Sequence, residues 1–503
     1  MNLPTTATAT ATATMTAPEE APVLDTAAEV RETHTGLVVL IGDRAYKMKK
    51  PVLTDFLDFR TPEAREQACA RELTLNSRMA PDAYLGIAHL TLPDRVAPEP
   101  MVVMRRYPDR YRLGSMVLRG EPTEPHLDAL ADLLSGFHAH ATRSPRNHGR
   151  ATAPALAALW RENLDELGRH APAVLDPEKV SEVGHLAMRY INGRSRLFGD
   201  RVTAGRVVDG HGDLMAEDIF CTPDGPVPLD CLEFDDQLRH VDGIDDAAFL
   251  AMDLEFLGRA DLAAHFLDRY RAAAGDTAPR SLIDFYIAYR AVVRAKVDCI
   301  KLSQGHRGSD ADARFHLDLA LAHLRESTVR LIIVGGGPGT GKTTLSTALA
   351  TSLSAQSIST DDLRRALRDT GELVGEAGAV DAGLYASENV ALVYNTMLDR
   401  AGQSLAAGES VVLDGTWRDP KQRQRARETA AEANAVMVEI ACTTDLSGAQ
   451  QRISARTSTT SDATAHIAAA ITAKPWAGAH CVDTGRPLAE SLAEAQQICC
   501  LAI

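Results

Sequence analysis

The chain has 503 residues, 45% of them hydrophobic and 24% charged, which is ordinary for soluble protein and enough for roughly two to four domains with buried cores. Its formal charge of -15 argues against non-specific binding to nucleic acid or to an anionic membrane, both of which need clustered Lys and Arg. The eight cysteines form no C-x-x-C pair, which points to buried thiols in a reducing cytoplasm rather than to a metal site.

Met1 to Pro22 is Thr/Ala low complexity followed by acids. It lacks a basic start and a long apolar stretch, so it reads as a disordered tail and not as a secretory signal. No apolar run approaches the roughly 20 residues needed to span a bilayer. Ordered sequence is expected from Val23. Gly36 to Ile41 and Ala45 to Val52 read as strands joined at Gly42-Asp43-Arg44. Pro62 to Met79 reads as a helix, with Thr61 as N-cap and Pro62 in the first helical position. Met101 to Met104 is a short strand, and His126 to His140 an amphipathic helix. Ala153 to Phe198 is mainly helical. Arg206 to Val208 and Val227 to Leu232 are short strands. Asp245 to His323 reads as helices broken at Gly275 and Pro279.

A different pattern starts at Val329. Strands are predicted at Arg330–Val334, Ser357–Thr360, Val411–Leu413, Ala435–Ala441 and His480–Val482. Helices alternate with them: one through Leu353, then Asp361–Leu367, Tyr385–Ala407 and Pro420–Asn434. Alternation of this kind predicts a parallel sheet covered on both faces. The domain boundaries that follow are a tail at 1–22, a first domain at 23–326 and a second at 327–503.

Gly336-Gly337-Pro338-Gly339-Thr340-Gly341-Lys342-Thr343 follows an apolar strand and opens a helix, the context a phosphate-binding loop requires. Glycines let the backbone turn tightly and aim its N–H groups at phosphate oxygens. Lys342 is expected to reach the β- and γ-phosphates of ATP and the Thr343 hydroxyl to ligate Mg²⁺, with Thr344 next on the same helix start. Asp361 and Arg364 lie just past the next strand, at the edge where ligands bind in open α/β sheets. A carboxylate there can accept a proton from a hydroxyl, and an arginine one turn later can hold an anionic or polyol substrate. The plainer alternative is that Thr360 caps a helix whose first turn carries acids. Asp414 ends a third strand and is placed to hold Mg²⁺ through water or to orient substrate. Arg418, Arg423, Arg425 and Arg427 follow on a helix, where a solvated face explains most of them. Arg452 and Arg456 precede the polar stretch Thr457 to Ser461, a pattern that suits a lid bringing positive charge to a transferring phosphoryl group.

On these motifs Val329 to Ala502 resembles the P-loop small-molecule and polynucleotide kinases, the gluconate-kinase, polynucleotide 5′-kinase and zeta-toxin group. The resemblance implies that Gly336 to Thr343 hold phosphate and that Asp361 (or Asp362) is the catalytic base with Arg364 as its companion. It also makes Asp414 the strand-end acid and Arg452 and Arg456 the lid arginines. Ser461-Asp462-Ala463-Thr464 resembles the segment after the lid.

In the first domain, His211-Gly212-Asp213-Leu214 follows a strand and a glycine turn, Asp218 comes five residues after Asp213, and Asp230 ends the next strand. Two carboxylates flanking a short hairpin can share Mg²⁺ while Asp213 accepts a hydroxyl proton. This stretch resembles the catalytic loop of aminoglycoside phosphotransferases and choline-kinase-like enzymes, whose fold is a bilobed protein-kinase-like domain; the match covers Val23 to Glu326. It implies Asp213 as base, His211 as structural and Asp230 as main metal ligand. Asp246-Ala247-Ala248 resembles the family's later D-x-A helix start. Asp218 stands where the family has an asparagine as second metal ligand. Lys47 and Lys49 share one strand face, either can bind phosphate, and Glu72 on the next helix can pair with it.

The resulting expectation is an α/β and α+β chain in which a kinase-like domain precedes a P-loop NTPase sheet. Its function would be ATP-dependent transfer of the γ-phosphate to the hydroxyl of a small molecule: a sugar, sugar acid, polyol or aminoglycoside-like compound. An ATP-binding sensor with a degenerate first domain is a second reading. A polynucleotide 5′-kinase is a third, limited to an oligonucleotide end because residues 327–503 carry more acids than bases.

Overall fold

The computed structural model describes residues 28–32, 36–53, 58–91, 98–143, 149–375, 383–454 and 476–502. The expected tail at Met1 to Pro22 lies outside these residues, as do Arg456, Thr457 to Ser461 and Asp462 to Thr464. The chain divides into two units, 1–108 and 109–503. The helical region that follows residue 108 therefore shares a unit with the P-loop sheet.

The first unit is an antiparallel sheet of β1 (Glu29–Glu32), β2 (Gly36–Ile41), β3 (Arg44–Lys49), β4 (Tyr84–Leu90) and β5 (Glu99–Arg105), ordered β1-β2-β3-β5-β4. Ile41 pairs with Arg44, leaving Gly42 and Asp43 as a two-residue turn, and Gly42 has the positive φ of +56° that such a turn demands. The helix Pro62–Asn76 starts as expected: Thr61 Oγ1 accepts from Ala64 N at 3.2 Å, and Pro62 fills the first position. It stops three residues short of the predicted Met79.

In the second unit, helices Glu124–His140, Ala153–His170, Pro177–Gly193, Ser195–Thr203, Gly243–Phe256, Ala260–Ala274, Arg280–Ser303 and Ser309–Glu326 enclose two small ladders. One pairs β6 (Val207–Asp209) with β9 (His240–Asp242); the other pairs β7 (Ile219–Thr222) with β8 (Gly225–Pro228). The strand predicted for Val227–Leu232 ends at Pro228, because Asp230 turns to a left-handed φ of +63° and leaves the ladder.

The P-loop sheet consists of β10 (Arg330–Gly335), β11 (Gln356–Ser359), β12 (Val411–Asp414), β13 (Val436–Thr443) and β14 (His480–Asp483), all parallel and ordered β11-β12-β10-β13-β14. Every residue of β10 is buried, as a central strand covered on both faces requires. One face packs Ile332, Val334, Val438 and Ile440 against Leu345 and Leu349 of helix Lys342–Ser352 and against Ala495 and Cys499 of helix Leu488–Leu501. The helices Ser387–Ala406 and Pro420–Glu432 pack on β10, β12 and β13. All eight cysteines are free thiols, with Cys481 and Cys500 the exposed pair. Among the described residues no helix is long and apolar enough to cross a membrane.

Candidate phosphoryl-transfer sites

At the C-terminal edge of the parallel sheet the backbone itself builds the first half of the site. Gly336, Gly339 and Gly341 have φ of +152°, +81° and +78°, and a Cβ on Gly336 would lie 2.5 Å from Thr340 Oγ1 and 3.0 Å from the Cys442 carbonyl. Only glycine tolerates that conformation and that crowding. Thr340 Oγ1 donates to the Gly337 carbonyl at 2.8 Å. Gly337 and Gly339 are buried, and Pro338 is half-buried. The helix then begins at Lys342, so its unpaired N–H groups and positive end face the loop. Lys342 is half-buried, and Thr343 and Thr344 are exposed on the first turn.

Strand register brings the acids to this loop. Asp414 pairs across β12 with Val334 of β10 on one side and Ser359 of β11 on the other. Its Oδ2 accepts from Thr343 Oγ1 at 2.7 Å. Its Oδ1 is buried and has no hydrogen-bond partner among the described residues. Burial pushes the Asp414 carboxyl above its ordinary range; the Lys342 charge and the Thr343 hydroxyl pull it back, while Asp361 and Asp362 push it up. A buried carboxylate oxygen without a donor, beside a hydroxyl and a phosphate loop, is the hard-oxygen donor set that Mg²⁺ takes together with phosphate and water. Thr343 and Asp414 therefore fit such an ion.

Ser359 Oγ, not Thr360, caps the next helix, accepting from Asp361 N at 3.2 Å. This sets Asp361 two residues beyond the register partner of Asp414. Asp361 Oδ1 accepts from Arg364 Nη1 at 2.7 Å, and the Arg364 guanidinium lies 4.5 Å from the centre of the Tyr385 ring. Arg364, read from sequence as a substrate-holding group, is buried and turned onto Asp361 and Tyr385. Asp362 is exposed. From the opposite side, Arg452 Nη2 donates to the Thr484 carbonyl at 2.6 Å, and its Nη1 would lie 3.1 Å from a Cβ on Gly341. Arg452 thus stands at the loop.

Several residues here escaped sequence reasoning. Thr484 Oγ1 donates to the carbonyls of Thr340 at 2.5 Å and Thr443 at 2.9 Å, tying the loop to β13. Trp417 is fully buried at a left-handed φ of +51°, three residues after Asp414. Its N–H donates to Tyr394 Oη at 3.2 Å, and Arg423 Nη1 donates to its carbonyl at 2.6 Å. The order Asp414-Gly415-Thr416-Trp417 directly after a buried strand was the available signal. The arginines after it divide: Arg423 grips Trp417, Arg427 pairs with Glu439 at 2.6 Å, and Arg425 bonds Asn395.

The His211 loop is assembled differently. His211 N and Gly212 N donate to the two oxygens of Asp246 at 2.7 and 2.8 Å, and His138 Nε2 contacts Asp246 Oδ2 at 2.9 Å. Burial alone would push the Asp246 carboxyl up, but the His138 bond and charge together with the His211 N–H hold it well below its ordinary range. Arg290 makes a two-bond pair with Asp245 at 2.7 and 2.9 Å and reaches the Gly212 carbonyl at 3.3 Å. Asp213 follows. Burial raises its carboxyl to about 6; Arg294 opposes the rise and Asp230 adds to it. Asp218 stands just before β7, and Asp230 two residues after β8, so the hairpin carries both at one end. Leu229 N donates to the Asp218 carbonyl at 2.9 Å.

In the first unit Lys47 and Lys49 both reach Glu72: Lys47 Nζ lies 2.9 Å from Oε1, and Lys49 Nζ 2.6 Å from Oε2. Glu72 and Lys49 are buried, whereas Lys47 is part exposed. Among the described residues no three His, Cys, Asp or Glu side chains gather as a ready-made metal cluster.

Residues 331–474 match the family described as AAA domain. Over 472 residues the chain is 52% identical to Rv2004c of Mycobacterium tuberculosis, covering 93% of this chain and 95% of that protein, and Mb2027c of Mycobacterium bovis matches to the same extent. Among solved structures, a choline/ethanolamine kinase family protein from Mesorhizobium loti covers 60% of this chain and 94% of its own, at 15% identity and a TM-score of 0.37. A gluconokinase from Sinorhizobium meliloti covers 34% and 93%, at 21% identity and a TM-score of 0.27. The chain belongs to the family of the mycobacterial proteins Rv2004c and Mb2027c, and its C-terminal segment, which carries the glycine loop, matches the AAA domain family.

Proposed function

We propose that the chain is an ATP-dependent phosphotransferase that moves the γ-phosphate to a hydroxyl of a small molecule, with segment 327–503 as the principal site. The observation that carries this reading is the placement of Asp414. It is register partner to both the P-loop strand and the Asp361 strand, with one oxygen on Thr343 and the other buried without a donor among the described residues. In this reading the loop N–H groups and Lys342 bind the phosphates, and Arg452 adds positive charge at the loop. Thr343 and Asp414 would hold Mg²⁺, which neutralises phosphate charge when bound. Asp361 takes the proton of the acceptor hydroxyl, and Arg364, which donates to its Oδ1, holds it oriented. The acceptor itself is a small molecule with a free hydroxyl. The first domain supports a second site of the same chemistry through Asp213, whose buried carboxyl feels the charge of Asp230.

The test is labelled ATP with a metabolite extract, run on wild type, Lys342→Ala, Asp361→Ala and Asp213→Ala. Label that appears with wild type and is lost in Lys342→Ala and Asp361→Ala supports the principal site. Label lost in Asp213→Ala alone would move the activity to the first site. Undiminished transfer in Lys342→Ala and Asp361→Ala rules out the P-loop assignment.

A further inference from the structure

We propose that Arg194 and Tyr190, in the helical region, are positioning residues for the P-loop edge, acting through the far ends of two of its helices. The inference rests on that edge being the transfer site.

Arg194 is 1% exposed and lies between the helices Pro177–Gly193 and Ser195–Thr203. Among the described residues no carboxylate pairs with it. Its Nη1 donates to the Ala433 carbonyl at 2.7 Å and to the Gly193 carbonyl at 2.8 Å. Ala433 is the C-cap of helix Pro420–Glu432, where unpaired carbonyls and the helix dipole favour a cation. Contact is tight enough that a Cβ on Gly193 would run into the Ala433 oxygen. The Arg194 guanidinium also lies 5.5 Å from the centre of the Tyr190 ring.

Tyr190 carries the second grip. Its hydroxyl is 3.1 Å from Ser281 Oγ, and Ser281 Oγ donates to the Gly408 carbonyl at 2.6 Å. Gly408 is the left-handed residue that ends helix Ser387–Ala406, packed so closely that its Cβ would lie 2.9 Å from Ser281 Oγ and 3.1 Å from Leu197 and Pro279. One stack of Arg194 on Tyr190, itself stacked on Phe285 at 4.6 Å, therefore holds the C-terminal ends of both helices.

Those same two helices fix Trp417 from opposite sides. Tyr394, on Ser387–Ala406, accepts the Trp417 N–H; Arg423, on Pro420–Glu432, donates to the Trp417 carbonyl. A left-handed tryptophan is a conformation that persists only when its surroundings hold it. Its two backbone bonds come from helices whose other ends are set by the helical region. The turn they hold directly follows Asp414. Loosening Arg194 thus lets the Asp414–Arg418 turn relax without touching the glycine loop, so turnover should fall while nucleotide binding is spared.

The test uses the full chain, with Arg194→Met, Arg194→Lys and Tyr190→Phe beside wild type. Far-UV circular dichroism first establishes folding, and Tyr190→Phe, which loses a single hydroxyl, stands in if Arg194→Met does not fold. Three quantities are read: hydrogen exchange across 414–418, ATP consumption, and affinity for a fluorescent ATP analogue. In Arg194→Met, exchange across 414–418 is expected to rise about ten-fold and kcat to fall about ten-fold, with affinity within about two-fold. Arg194→Lys, which returns a cation to the helix end, should recover part of both, and Tyr190→Phe should show the same changes at smaller size. Unchanged exchange, or faster exchange with unchanged kcat, overturns the proposal, since a role in packing alone lowers only the melting temperature. If the P-loop edge is not the transfer site, Lys342→Ala leaves ATP consumption intact while exchange still responds to Arg194, so the two failures are separable.

Discussion

The His211–Asp213 loop and the Gly336–Thr343 loop each present a candidate reactive group, but they are held by opposite means. The first is held by buried side-chain charge: Asp246 takes two backbone N–H bonds and His138, and Arg290 reaches the Gly212 carbonyl from its pair with Asp245. The second is held by glycine geometry and a few hydroxyls, with one Asp414 oxygen left without a partner among the described residues. A loop fastened by buried charges is part of the fold and resists ligand-free change. A loop fastened by backbone shape leaves its N–H groups for a ligand. The two should therefore break in different observables.

The largest effect is expected at Asp246. Asp246→Ala removes the acceptor of two buried N–H groups and the partner of His138, and breaking a buried charge network in this way costs about 3–5 kcal/mol. Chemical denaturation should register that loss, while nucleotide affinity at the P-loop stays close to wild type in the folded protein. A variant as stable as wild type would show that the loop is not fastened through Asp246.

The complementary change is Gly336→Val. Its Cβ would meet Thr340 Oγ1 and the Cys442 carbonyl at a φ that branched residues do not adopt. Nucleotide affinity should weaken by at least about 100-fold, roughly 2.7 kcal/mol. The folded-state cost should stay near about 1 kcal/mol, because the loop can shift outward. If titration gave near-wild-type affinity, the loop would not be the phosphate cradle.

How much of this was legible differs between the two regions for the same reason. Strand β10 reads directly because Arg330–Gly335 is buried throughout and the glycines follow at once. Thr61 and Pro62 likewise announce their helix. By contrast, β1 is an exposed edge strand of Glu29–Glu32 with little apolar alternation, and β4 carries an irregularity between Tyr84 and Gly86 that spoils its period. Asp230 sits inside an apolar run that reads as strand, yet its backbone turns left-handed. Contacts such as Thr484 to Thr340, or Arg194 to Ala433, join residues far apart in the chain. They follow from strand order and from how the helical region packs on the sheet, and no local pattern encodes either. Asp361 and Asp414 were legible as strand-end acids; their shared neighbourhood came from the register of β11 and β12.

Asp213 offers the finest distinction, through pH. Its folded carboxyl titrates near 6, chiefly because it is buried, against about 3.9 in an unfolded chain. The folded state therefore binds the proton more tightly than the unfolded state does. Stability contributed by this group is full below about pH 4, is lost as pH rises to about 6, and stays lost above that. Asp213→Asn removes the burden, so the variant should be more stable than wild type at pH 8, by about 1–2 kcal/mol once solvent access is allowed for. The gain should vanish at pH 4. The measurement is paired denaturation of both proteins across pH 4–8 in chelator, so that no bound cation offsets the charge. A gain that is constant with pH would trace to packing and not to ionisation. As a base Asp213 must be ionised, so any transfer it performs should rise through pH 6. The fold is then most relaxed where Asp213 is protonated and idle, and it carries the cost of the carboxylate only in the pH range where the carboxylate can work.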